Sequence, residues 1–215
     1  RRILVANRGE VAARIIRSCE RLGVESVVVA SEADADLQFL QDADKVAHIG
    51  PVRAYLDHDA VLQAGVDHGC TGVHPGWGFL SENPTFAARC ESLGMSFIGP
   101  SSANMRQMAD KAAARSVMQK MGVPVIPGSD GTVGSVTAAE QEADRIGYPV
   151  LLKAVSGGGG RGMRIVRSPD QIQDAFDAAR AEAIGAFGDG RLYMEKLIEN
   201  GRHIEFQVVG DGRRV

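Results

Sequence analysis

The sequence predicts an α/β fold in two parts: a parallel sheet covered by helices over residues 1–100, and a smaller glycine-looped lid after a linker. One sign is that apolar runs of strand length alternate with amphipathic helical stretches up to Pro100. A second is the punctuating segment Gly122-Val-Pro-Val-Ile-Pro-Gly128. A third is Tyr148-Pro-Val-Leu-Leu-Lys-Ala-Val-Ser-Gly-Gly-Gly-Gly-Arg-Gly-Met-Arg-Ile-Val-Arg167, where a strand carrying a lysine enters a glycine run and another strand leaves it.

Ile3-Leu-Val-Ala6 reads as a buried strand, and Asn7-Arg-Gly-Glu10 turns it into a helix with Val11, Ile15, Ile16 and Cys19 on one face. In that turn Glu10 complements the helix dipole and Arg8 is expected to pair with it. Strands follow at 25–30, 71–74 and 95–99, with helices at 58–68 and 83–93 between them. Ligands of parallel sheets collect beyond the carboxyl ends of the strands, and two loops there, 7–10 and 74–83, are rich in polar residues and glycine. Residues 101–121 read as two helices broken near 109–110, and 101–128 as a helical linker. Beyond it come a helix at 135–146, the lysine strand, its loop and return strand at 163–166, a helix at 169–183 and a strand at 191–197. A further strand is expected from Arg202, with His203, Glu205 and Gln207 facing one side and Ile204, Phe206 and Val208 the other.

The glycine run is the strongest chemical signal. Glycine amides can crowd against phosphate oxygens because no Cβ keeps them away, and Lys153 brings a compact positive charge. Gly157, Gly159 and Gly162 satisfy the dinucleotide spacing, yet a strand follows where that fingerprint needs a helix. A Walker A loop needs Gly-Lys-Ser/Thr opening a helix, and no such tripeptide occurs. The run therefore reads as a lid over a nucleotide triphosphate or, without a ligand, as a glycine hairpin.

Bulk properties narrow the class. With 215 residues and 44% hydrophobic composition the chain can bury a sizeable core. A net charge of −3 without basic runs argues against nucleic-acid partners. Cys19, Cys70 and Cys90 form no CxxC pair and read as reduced core thiols. No apolar stretch reaches membrane-span length, so no membrane partner is expected. The expected location is cytoplasmic, or the mitochondrial matrix if a transit peptide has been removed.

Six segments together resemble the biotin carboxylase family of ATP-grasp enzymes: Ile3-Leu-Val-Ala-Asn-Arg-Gly-Glu10, His74-Pro-Gly-Trp-Gly-Phe-Leu-Ser-Glu-Asn83, Phe97-Ile-Gly-Pro100, Ala109-Asp-Lys111, the stretch from Lys153 to Met163, and Tyr193-Met-Glu-Lys196 with Arg202-His-Ile-Glu-Phe-Gln207. The resemblance implies a Rossmann-like pre-ATP-grasp domain at 1–100, an ATP-grasp lid at 129–198 and the start of an incomplete ATP-grasp domain at 199–215. It implies that ATP and bicarbonate form carboxyphosphate, whose CO2 passes to biotin on a biotin carboxyl carrier protein or domain, with a carboxyltransferase component acting next. By similarity Lys111 and Lys153 hold phosphates, and Gly159 and Gly160 close over them. Glu195, Lys196, Leu197 and Ile198 form a hinge strand against adenine, His203 lies close to the nucleotide, and Trp77 packs near biotin.

Departures from the family pattern carry their own expectations. Trp77 replaces the usual tyrosine, keeping an aromatic face without a phenol, and four glycines follow Ser156 where relatives have five. Arg17 matches a position of the family's homodimer contact, whereas Arg21 stands where some relatives have glutamate. The family's Mg2+-binding glutamates, bicarbonate ligands and enolate-stabilising arginine are expected beyond Val215, so no catalytic or metal-binding residue is assigned here and the 215 residues alone are expected to be inactive. The alternatives are another ATP-grasp ligase, of the carboxylate-amine or carbamoyl phosphate synthetase type, and a non-catalytic nucleotide-binding domain.

Overall fold

A computed structural model describes residues 1–109, 111–156 and 162–215, except for the side chains of Lys111 and Ala112. The chain divides into two compact units, Arg1–Ala109 and Asp110–Val215.

In the first unit β1 (Arg2–Val5), β2 (Glu25–Ser31), β3 (Lys45–Gly50), β4 (Gly72–His74) and β5 (Ser96–Phe97) form one parallel sheet in the order β3-β2-β1-β4-β5. The expected parallel sheet is present, with helices α1 (Gly9–Arg21), α2 (His58–Asp67), α3 (Pro84–Ser92) and α4 (Ser102–Ala109) around it. The period of two along β2 shows why both faces are covered: Val27 and Val29 enter a core with Tyr55, Leu62, Phe86 and Cys90, while Val28 and Ala30 enter another with Ile15, Ile16 and Cys19. Asp57 caps α2 by accepting from the Asp59 amide at 2.9 Å. Asn83 caps α3, accepting from the Phe86 amide at 2.9 Å, and Pro84 occupies the first helical turn.

Strand β3 was not among the expected strands. It is an edge strand with only Ala47 buried, so its sequence lacks the sustained apolar run of a central strand.

The second unit contains α5 (Lys111–Lys120), α6 (Val136–Ile146), β6 (Val150–Ala154), β7 (Met163–Val166), α7 (Ile172–Phe187) and β8 (Leu192–Lys196). The three strands form a separate antiparallel sheet in the order β7-β6-β8. Val150, Leu152, Ala154, Val166, Leu192 and Met194 pack on α6 and α7 through Ala139, Ala143, Phe176, Ala179 and Ala183, the small alanines letting helices and sheet approach closely. Helix α7 extends past the expected end at 183 and stops at Gly188, whose left-handed φ of 71° provides the C-cap.

Two expectations are corrected here. Residues 201–209 form no strand, and Ile204, Phe206 and Val208 are exposed, Phe206 to 87%. A strand needs a neighbour for its N–H and C=O groups and a core for its apolar side, and no described residue supplies either. The hinge strand ends at Lys196, with Leu197 and Ile198 beyond it.

Candidate functional site

In the first unit, the turn after β1 and the turn after β4 meet at the carboxyl edge of the sheet, joined by the 2.9 Å bond from the Ala6 amide to the His74 carbonyl. Asn7 is buried and fixes both turns: its Nδ2 donates to the carbonyls of Pro75 at 2.7 Å and Trp77 at 2.9 Å, and its Oδ1 accepts from the Arg8 amide at 2.9 Å. Gly76 has a φ of 65°, and a Cβ there would overlap Val11 Cγ1 and lie 2.7 Å from Asn7 Nδ2, so the turn requires glycine. Burial lowers the pKa of His74, whose Nδ1 accepts from the Gly76 amide at 3.1 Å. Trp77 stands 70% exposed beside a hollow of about 440 Å³ lined by Asn7, Arg8, Glu10, Val11 and Phe79.

The partner of Arg8 is Asp34, not Glu10 as the sequence suggested. The Asp34 carboxylate is fully buried and also accepts from Ser31 Oγ at 2.8 Å and the Tyr55 hydroxyl at 2.7 Å. Burial opposes its charge, but the Tyr55, Ser31 and Arg8 donors outweigh this and hold its pKa below the ordinary value. Burial, then the bond to Asp34, pushes the Tyr55 phenol up to about 12. The Arg8 guanidinium lies 5.8 Å from the centre of the Tyr55 ring, and Phe79 stacks on Tyr55 with centroids 5.1 Å apart.

In the second unit, alternation along β6 buries Val150, Leu152 and Ala154 against the helices and leaves Leu151 and Lys153 on the other face. Register sets Lys153 between Met163 and Tyr193, and Leu151 between Ile165 and Glu195. This face is apolar on the β7 side and charged on the β8 side. The Lys153 ammonium donates to Glu195 Oε2 at 2.8 Å and lies 5.4 Å from the centre of the Tyr193 ring. Burial opposes the lysine's charge, but Glu195 and Tyr193 together raise its pKa above the ordinary value.

The candidate hinge residues are committed in different ways. The Lys196 ammonium donates to the carbonyls of Gly147 at 2.9 Å and Tyr148 at 2.7 Å, and its amide donates to Pro127 at 2.7 Å. The Leu197 amide donates to Pro149 at 3.1 Å, whereas the Ile198 amide has no acceptor among the described residues. His203 is exposed, with its Nε2 3.2 Å from Glu205 Oε1. The side chain of Lys111, and both Gly159 and Gly160, lie outside the described residues. Among the described residues no cluster of His, Cys, Asp and Glu could hold a metal ion.

Sequence reasoning missed Asp34, Tyr55, Tyr193 and the apolar trio Leu151, Met163 and Ile165. Tyr193 was recoverable, since it lies two residues before Glu195 on one strand and so shares its face. Asp34 and Tyr55 had no such signal, being brought to Arg8 from 26 residues away and beyond.

A parallel α/β unit followed by a three-stranded lysine-bearing lid defines an ATP-grasp type of architecture, and the comparisons agree. Residues 1–105 match the family "Biotin carboxylase, N-terminal domain" and residues 110–214 the family "Carbamoyl-phosphate synthase L chain, ATP binding domain". The biotin carboxylase of Haemophilus influenzae is 47% identical over 214 residues, which is 98% of this chain and 48% of that protein. The pyruvate carboxylase of Bacillus subtilis is also 47% identical, over 98% of this chain and 19% of its own length. A Campylobacter jejuni biotin carboxylase, solved as a β,γ-ATP complex, superposes with a TM-score of 0.88 at 46% identity, covering 93% of this chain and 45% of that one. The chain belongs to the biotin carboxylase family and spans about half the length of the biotin carboxylases it matches.

Proposed function

We propose that this chain contributes the biotin-facing loop and the nucleotide lid of an enzyme that carboxylates biotin at the expense of ATP. The carrying observation is the ion pair of Lys153 with Glu195 on the sheet face turned away from α6 and α7, with Lys153 four residues before the glycine run. In this reading phosphate oxygens replace Glu195 as the acceptor of the Lys153 ammonium, a charge-assisted exchange that keeps the lysine paired throughout. Gly159, Gly160 and Lys111 complete the phosphate contacts. Leu151, Met163 and Ile165 offer an apolar face to the purine, and the Ile198 amide and the backbone of 195–197 meet its edge, while the Lys196 side chain stays with the 147–148 carbonyls. His203 approaches the nucleotide only when the exposed 201–209 segment gains a neighbouring strand.

The reaction proposed for the whole enzyme starts with attack of a bicarbonate oxygen on the γ-phosphorus and departure of ADP. Carboxyphosphate then breaks its P–O–C link to give CO2 and phosphate; the phosphate takes the N–H proton of the biotin ureido group as that nitrogen bonds to CO2, and leaves as hydrogenphosphate. Electrostatics and positioning dominate such a transfer, which suits lysines and backbone amides rather than a covalent nucleophile. Magnesium has no protein cage among the described residues. Trp77 supplies an exposed aromatic face for biotin delivered by a carrier protein or domain, and a carboxyltransferase component accepts the carboxybiotin. For the final acceptor our proposal is an acyl-CoA of the acetyl or propionyl type, with a homodimer in the cytoplasm or mitochondrial matrix.

The test is bicarbonate-dependent ATP hydrolysis with free biotin in an enzyme of full family length. Lys153→Ala should lower kcat/KM for ATP by roughly tenfold to a hundredfold, from about 1.5–3 kcal/mol of charged hydrogen bonding. Unchanged kinetics would remove Lys153 from the site.

A further inference from the structure

The Trp77 turn is held from two sides by groups that touch no substrate in the reading above. Asn7 grips the carbonyls of Pro75 and Trp77. On the other side Phe79 has a φ of 44°, a left-handed backbone that a residue with a Cβ adopts only at a cost, and it is stacked on Tyr55. Tyr55 is itself immobilised, its ring buried and its hydroxyl bonded to the fully buried Asp34 carboxylate. Arg8 closes the cluster by pairing with Asp34 and lying over the Tyr55 ring. The result is an exposed tryptophan on a backbone pinned on both flanks, where an unrestrained exposed turn would be mobile.

We propose that Asn7 and the Asp34–Tyr55–Phe79 stack are positioning residues that preorganise Trp77 as a fixed aromatic platform. Preorganisation lowers the ordering cost met when a flat, uncharged ring such as a ureido group docks on the indole. The identity of that ring rests on the function proposed above; the positioning itself does not.

Trp77 is the chain's only tryptophan, so its time-resolved fluorescence anisotropy reads this turn in the 215-residue protein. The amplitude lost to sub-nanosecond motion should roughly double in Tyr55→Leu and in Phe79→Gly, since side-chain and loop motions fall in that range once the restraint is gone. Tyr55→Phe, which keeps the stack, should change it less. Phe79→Gly is chosen because glycine accepts the left-handed φ and so preserves folding. Unchanged amplitudes in folded Tyr55→Leu and Phe79→Gly would overturn the inference. In an enzyme of full family length the same variants should raise KM for free biotin severalfold while KM for ATP stays constant. A loosened indole with unchanged biotin KM would uphold the positioning role and overturn the assignment of Trp77 to biotin.

Discussion

Gly76→Ala tests the geometry of the Trp77 turn with a single methyl group. At Gly76 the φ of 65° puts an L-residue in the left-handed region, at about 1–2 kcal/mol. The new Cβ would also overlap Val11 Cγ1 and sit 2.7 Å from Asn7 Nδ2, and overpacking of this kind costs about 1–3 kcal/mol. Asn7 cannot yield freely because it holds two carbonyls, so the sum is about 3 kcal/mol. Gly78 provides the control: its φ is 72°, yet nothing lies within 4 Å of a Cβ there, so Gly78→Ala should show the backbone term alone. Urea unfolding followed by Trp77 fluorescence reports the first unit, because the only tryptophan lies in it. Val11→Ala added to Gly76→Ala should recover part of the difference. Equal losses from the two glycine variants would refute the close-packed turn.

Asn7→Asp should destabilise the first unit by about 2–4 kcal/mol, because a carboxylate cannot donate to the Pro75 and Trp77 carbonyls; a loss below about 0.5 kcal/mol would deny those bonds. His74 should titrate below the ordinary 6.5 in proton NMR; protonation is favoured in the unfolded chain, so its contribution to stability is full above about pH 6.5 and declines as the pH falls toward the folded value. Asp34 behaves as a depressed carboxylate: its contribution is present above the ordinary 3.8 and is lost as the pH falls through the lower folded value, and Asp34→Asn should remove that acid dependence from urea titrations. In ultraviolet titration Tyr55 should resist ionisation until about pH 12, and a drop toward the ordinary 10.0 in Asp34→Asn would confirm the coupling.

The alternation of strands and helices in the first unit was readable from the sequence because it rests on local periodicity. Ile3-Leu-Val-Ala6 and the α1 face with Ile15, Ile16 and Cys19 need only their own spacing to declare themselves. The strands on either side of the glycine run were equally plain, since Val150–Ala154 and Met163–Val166 are short, largely apolar runs that flank it in sequence. Edge strand β3 was hidden by half-exposure, and the 201–209 segment, with a fine alternating pattern, is not a strand because pattern alone provides no neighbour. Pairing of charges was the least legible. Arg8 stands two residues from Glu10 but bonds Asp34, because the first turn of a helix points those side chains apart while the sheet brings the β2 carboxyl edge alongside. Lys153 found Glu195 42 residues away through antiparallel register, which no local spacing encodes. The sequence by itself thus determined the strands and helices that declare themselves by local periodicity, whereas the tertiary structure decided which half-exposed segments pair and which charges meet, since partners are chosen by the order and register in which the strands assemble.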